Sequence, residues 1–188
     1  MTDSLDSFAA LALARRTSLL VDRERAVPDE LTDRLCQLAT FAPNHKKTWP
    51  WRFAVVTGQG RRTLGETAAD AMRAAGVDDD AKLDKTRSKY LRAPTIVVVG
   101  TAPNVDPHRH REDRDAVAAG VQTLLLGATA AGLSSFWSSC PFGANDAVAA
   151  FSGFEPGTDI SALVYLGWPV DDVPVPSRDA PKINHVST

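Results

Sequence analysis

Four consecutive residues, Arg15-Arg16-Thr17-Ser18, put two guanidinium groups beside two hydroxyls near the start of a chain of 188 residues. Guanidinium forks grip phosphate or carboxylate oxygens in pairs, and hydroxyls add short-range donors. Read locally, the same run is a solvated helix end, where arginine suits the helix dipole, and that is the simpler of the two readings. A second candidate is the loop Ala42-Pro43-Asn44-His45-Lys46-Lys47-Thr48-Trp49-Pro50, in which an imidazole and two ammonium groups sit between prolines. A third is His108-Arg109-His110, with Asp106, Glu112 and Asp113 nearby. Histidines two apart match neither a helix face nor a common zinc signature, so this segment reads as an exposed polar loop and no metal site is assigned. Cys36 and Cys140 form no CxxC and read as two idle thiols of a reducing compartment. No Ser-His-Asp arrangement or acidic pair points to hydrolysis.

The elements that must position these groups are organised around Ala116–Asn145, a run without charge in a chain that is 23% charged. Val117, Val121, Leu124, Leu125, Ala128 and Ala131 fall at helical spacing and predict a core helix over Asp115–Gly132. Gly120 and Gly127 each cost about 1 kcal/mol in a helix interior, so another backbone is expected to approach closely there. Gly132 is the stop signal. A membrane span needs about 20 strongly apolar residues, and this Ala- and Gly-rich stretch carries Gln122 and Thr123. Leu133–Cys140 reads as a buried strand-like segment.

The rest of the chain supplies layers for that helix. Helices are expected over Ser7–Ala14, from Pro28 to Thr40, over Arg61–Ala75 and over Asp146–Phe151; strands are expected over Trp51–Thr57, Thr95–Gly100 and Ile160–Leu166. Asp78–Leu91 is a charged helical stretch with a solvated face, and Ala102–Arg114 reads as a loop. Val170–Thr188, with Pro174, Pro176 and Pro181, is an extended tail for which a partner subunit is a reasonable host. This order gives a sheet sandwiched by helices in one domain, 1–188. Hydrophobic content of 44% and a net charge of -2 point to neither disorder nor a nucleic-acid surface. Met1–Ser7 has two Asp and no Lys or Arg, which argues against a secretory leader and for a cytoplasmic setting.

Three separated pieces together resemble the short, compact members of the FMN-dependent nitroreductase family. They are the Arg15-Arg16-Thr17-Ser18 segment; Ala42-Pro43-Asn44 with Pro50-Trp51 and Phe53; and the Ala-rich helix with Gln122, Leu124, Leu125 and Leu126, followed by Gly132-Leu133 and Trp137 with Ser139. The closing Leu166-Gly167-Trp168-Pro169 fits the same pattern, so the resemblance runs to Pro169. It implies an α+β fold built as a three-layer α/β/α sandwich with a mixed, mainly antiparallel sheet. It also implies a homodimer with FMN at the interface and NAD(P)H as co-substrate, the central helix lying at the dimer core with its glycines allowing close packing. By resemblance, Arg15 pairs with the FMN phosphate and Arg16 with the phosphate or the pyrimidine edge, where Arg16, and Lys46 after it, supplies positive charge. Thr17, with Ser18 second, donates to phosphate or ribityl oxygens, and His45 comes from the other subunit. Trp137, Ser138 and Ser139 line the isoalloxazine; Gly127, Ala128, Thr129, Ala130, Ala131 and Gly132, with Trp49, pass near the nicotinamide or acceptor face; Arg178 is a further phosphate candidate. No side chain acts as catalyst, because the flavin carries the hydride chemistry.

The implied activity is ping-pong reduction of nitroaromatic, quinone or similar acceptors. One position departs from the family: an amide or Glu is usual before Pro-Trp, and here it is Trp49. Trp49 either narrows the acceptor pocket or packs outward, and Lys46-Lys47 favours anionic ligands. The alternatives are a flavin-binding storage or sensor protein without turnover, a specialised flavin-dependent relative that cleaves flavin or removes halogen, and a plain structural dimer.

Overall fold

The computed structural model describes residues 2–187. Six α-helices occur in the order α1 Thr2–Ala14, α2 Asp29–Ala39, α3 Gly60–Ala74, α4 Asp80–Lys89, α5 Pro107–Ala130 and α6 Asn145–Phe151. Four strands, β1 Trp51–Thr57, β2 Thr95–Thr101, β3 Ser134–Ser138 and β4 Asp159–Gly167, form one sheet in the order β1-β2-β4-β3. All three ladders are antiparallel, and the parallel contribution among the described residues is a single bridge between Thr17 and Ser135.

β2 is buried along its whole length, which is why TIVVVGT shows no alternation: both faces are covered. Val97, Val99, Val164 and Leu166 pack toward α2 and α5, while Ile96, Val98, Leu163 and Tyr165 pack with residues of α3 and α6. A register shift between Val99 and Gly100 swaps the parity, so Ile160 joins the second core while Ala162 joins the first. The chain therefore forms the three-layer α/β/α sandwich that the element order implied.

Three expectations are corrected. Ala102–Arg114 is not a loop throughout: α5 starts at Pro107, eight residues before the expected Asp115. The signal was local chemistry, since Asp106 accepts from the His108 N–H at 2.9 Å and Pro107 fills the first turn. Charged residues on the solvent side hid the helical period. The helix separates the two histidines, with His108 Nδ1 3.9 Å from Glu112 and His110 Nε2 4.0 Å from Asp159. Among the described residues no three His, Cys, Asp or Glu side chains gather as a metal would need. Second, α4 is anchored as well as solvated: Leu83 is fully buried with Ala69 and Met72, and Arg87 reaches Asp84 and Asp70. Third, α1 begins at Thr2, well before Ser7. No described helix is long and apolar enough to cross a membrane.

The close approach expected at the glycines of α5 comes from the same chain. A Cβ on Gly120 would lie 2.7 Å from the Ala39 carbonyl oxygen, at the end of α2, and 2.8 Å from the Trp51 indole nitrogen. Gly127 faces the Leu35 side chain of α2 in the same way. Gly120→Ala gains about 1 kcal/mol of helix propensity but must push a carbonyl and an indole aside. Urea unfolding is expected to show a net loss of about 1–3 kcal/mol; a more stable variant would mean that α2 and α5 are not in contact there.

Candidate functional site

The residues after α1 are pinned to the sheet by backbone pairing. Ser18 N–H donates to the Ser135 carbonyl at 3.0 Å, next to the Thr17–Ser135 bridge, and Asp22 N–H donates to the Trp168 carbonyl at 2.9 Å. Val170 N–H returns to the Leu20 carbonyl at 3.1 Å. Residues 15–18 are thus held beside β3, whose Trp137 lies two residues, about 7 Å, beyond Ser135.

Arg15 and Arg16 open into a cleft of about 530 Å³ shared with Leu13, Gln122 of α5, Pro176 and Arg178. Arg178 of the tail therefore stands with the two N-terminal arginines. Arg16 Nη1 donates to the Arg15 carbonyl at 2.6 Å, but its Nε is buried with no partner. Arg15 lies 3.5 Å from the Thr17 hydroxyl. The Ser135 hydroxyl is also buried and unpartnered. Buried polar atoms are normally satisfied, so the unpartnered Nε of Arg16, a residue of the cleft, leaves hydrogen-bonding capacity open there. Ser18 is buried and its hydroxyl accepts from the Leu20 N–H at 3.1 Å, so it supports the backbone. Trp137 and Ser139 are exposed, and Ser138 donates to the Ser139 carbonyl at 3.3 Å.

The stretch from Gly127 to Gly132 does not present one face. Ala128 is fully enclosed. Gly127, Ala130 and Ala131 line a groove of about 270 Å³ against Leu31, Leu35 and Leu38 of α2. Thr129 turns the other way, into a cleft of about 170 Å³ with Arg16, Asp171 and Asp172. Gly132 has φ +79° and open space beside it, as its role of helix stop requires.

His45, Lys46 and Lys47 are exposed in a short 3₁₀ turn, and none of them lines the cleft of Arg15 and Arg16 in the same subunit. The turn is held by polar contacts. Asn44 Nδ2 donates to the Thr48 hydroxyl at 3.0 Å, and Thr48 in turn donates to Asp113 of α5. Asp113 is 2% exposed, and its other oxygen accepts from Asn104 at 3.0 Å. At the far end of the loop Arg52 forks onto Glu155 at 2.6–3.0 Å and holds that carboxyl below the usual carboxylate range.

Sequence reasoning did not place Gln122 in the arginine cleft or Asp113 under the 44–49 loop. Gln122 carried a signal, an amide in an otherwise apolar helix. Asp113 was noted as a neighbour of the two histidines, and its contact with Thr48 was hidden because the start of its helix was misplaced.

The nitroreductase family model matches residues 12–168, from the last turn of α1 through Trp168. The chain belongs to the nitroreductase family. Among its relatives is a candidate NAD(P)H nitroreductase of Escherichia coli, YdjA, 30% identical over 167 residues, covering 88% of this chain and 89% of that one. Among solved structures, an FMN-bound nitroreductase from Bacteroides fragilis superposes with a TM-score of 0.76 at 21% identity, covering 95% of this chain and 98% of that one. The FMN-dependent nitroreductase NfnB of Mycobacterium smegmatis, in complex with NADPH, gives 0.73 at 22% identity, covering 96% and 99%.

The two thiols of this nitroreductase-family chain take no part in the clefts. Cys36 packs against the α2–α5 core and Cys140 against the α3–α6 core, on opposite faces of the sheet, too separated to pair. Burial pushes Cys36 up to about 12 and Cys140 to about 11. With raised folded values, their contribution to stability is whole below the ordinary thiol value of about 8.5 and is lost as pH rises through 9 toward about 11–12. Alkylation at about pH 8 is expected to label neither thiol rapidly until denaturant is added; fast labelling of the native protein would contradict this burial.

Proposed function

We propose that the chain is an FMN-dependent NAD(P)H oxidoreductase, working as a homodimer with its cofactor at the interface and reducing nitroaromatic, quinone or similar acceptors. The observation that carries this reading is the arginine cleft. Arg15, Arg16 and Arg178 surround one space of about 530 Å³, with an unpartnered buried nitrogen on Arg16. That chemistry suits a dianionic phosphate group. Family membership and the cofactors named for its relatives support the same conclusion.

Arg15 and Arg178 would hold the phosphate, and Arg16 would reach the phosphate or the pyrimidine edge, with Thr17 and Gln122 as further donors. Trp137, Ser138 and Ser139 would line the ring. His45 would come from the partner, in keeping with its absence from the arginine cleft of its own subunit. Of the stretch 127–132, Thr129 is the residue that shares a cleft with Arg16 and is the candidate for the nicotinamide or acceptor side. Leu5, Phe8 and Leu13 of α1 are 55–68% exposed, an apolar helix surface that a second subunit would cover. Bound FMN would supply the hydride chemistry, taking two electrons from NAD(P)H and passing them to the acceptor in ping-pong order. The protein's own part is orientation, exclusion of water and a guanidinium that favours negative charge on the reduced ring.

Arg15→Ala combined with Arg16→Ala is expected to weaken FMN binding by about 100-fold or more while the protein still elutes as a folded dimer. Retention of FMN at wild-type affinity would place the phosphate elsewhere. Oxidation of NAD(P)H on addition of menadione to the yellow wild-type protein supports turnover, and an inert yellow protein would leave only flavin binding.

A further inference from the structure

Trp49 is the more exposed of two tryptophans that the fold leaves outside, at 62% against 38% for Trp137. It is also among the most tightly constrained. Its backbone has φ 52°, and Lys46 and Lys47 before it have φ 61° and 53°. Left-handed backbone at bulky non-glycine residues costs of order 1 kcal/mol or more each and persists only where the surroundings enforce it.

The surroundings here are explicit. Trp49 N–H donates to Asn44 Oδ1 at 3.0 Å, and the Trp49 carbonyl accepts from Arg52 Nη1 at 3.3 Å. Asn44 donates onward to the Thr48 hydroxyl, which donates to buried Asp113. Every donor in this relay points toward the carboxylate, so its direction is fixed. The indole ring leans on Trp51, centroids 6.2 Å apart at 60°, and Trp51 is itself tethered to the Ala116 carbonyl at 3.3 Å. Two hydrogen bonds thus fix the Trp49 backbone, and the contact with Trp51 braces on one side an aromatic ring that faces solvent. Core packing does not account for that expense, because the ring is outside the core. Beside it stand Lys46 and Lys47, both exposed and, among the described residues, without a carboxylate partner.

We infer that Trp49 is a preorganised stacking platform for the electron acceptor, and that Lys46 and Lys47 select planar aromatic acceptors carrying a carboxylate or similar negative charge. This rests on the reading that the 44–49 loop stands at the flavin of the dimer. The ring supplies area at reduced entropy cost because its backbone is fixed and Trp51 braces one side of it, and the ammonium groups supply a field of one sign. Asn44, Thr48 and Asp113 act through Trp49 and are positioning residues.

The test uses the FMN-loaded protein, and its flavin absorption is read first. Calorimetric titration with 4-nitrobenzoate, without NADPH, reads binding alone. Steady-state kinetics with NADPH compares 4-nitrobenzoate with neutral 4-nitrobenzamide and with ferricyanide, which cannot stack. Trp49→Ala is expected to weaken 4-nitrobenzoate binding about tenfold, and to lower its kcat/KM relative to ferricyanide by a similar factor. Trp49→Phe should recover most of that loss. Thr48→Val should reproduce part of it, with Thr48→Ser restoring wild-type binding. Lys46→Gln combined with Lys47→Gln should lower the preference for nitrobenzoate over nitrobenzamide by about threefold to tenfold. An unchanged affinity in Trp49→Ala overturns the platform, and an unchanged preference in the lysine variant overturns the charge selection. A wild-type protein that takes up no FMN overturns the proposed function, and this inference falls with it.

Discussion

Three guanidinium groups around one cleft repel one another, and none of Arg15, Arg16 and Arg178 is ion-paired to a carboxylate among the described residues. Such a cluster is at ease only with a concentrated negative charge among its members. The orphaned Nε of Arg16 makes the same demand in hydrogen-bond terms. Much of the architecture can be understood as the means of holding this arrangement. The 15–22 segment is tied to β3 and to the residues just after β4 through backbone pairing, and Val21 packs into the core, so the arginines are presented by a fixed edge.

One helix links this cleft to the second polar cluster. α5 offers Gln122 to the arginines and Asp113 to the 44–49 loop, nine residues or about 14 Å apart along its axis. Between them its buried face, Ala116, Val117 and Val121, is locked into the core over β2 and β4. The position of both clusters is therefore set by the same packing. The sheet makes that packing rigid, because β2 and β4 are covered on both sides and cannot slip register without turning one core's residues into the other.

The layers were readable in the sequence because their signals are local: apolar runs for doubly covered strands, helical spacing in α2 and α5, and glycine or proline at the ends. The arginine pair and Trp137 were singled out by resemblance, and their shared position beside Ser135 follows from a bridge that no spacing reveals. What failed did so for physical reasons. The first two turns of α5 are charged, and periodicity in hydrophobicity is blind to a helical segment with no apolar stripe, even with an Asp-Pro start in plain view. Asp113 was lost with them. The stretch 127–132 was treated as one surface although successive helix residues point about 100° apart, and its members divide among core, groove and cleft. Left-handed backbone at Lys46, Lys47 and Trp49 has no sequence signature, since none of the three is Gly or Asn.

The central claim is that a phosphate group satisfies the arginine cleft. Parallel equilibrium titrations of the flavin-free protein with FMN and with riboflavin, which differ only in that phosphate, test it most directly. The account predicts that FMN binds about 100-fold or more tightly than riboflavin, with the gap narrowing as salt is raised. Equal affinities for the two at low salt would contradict it.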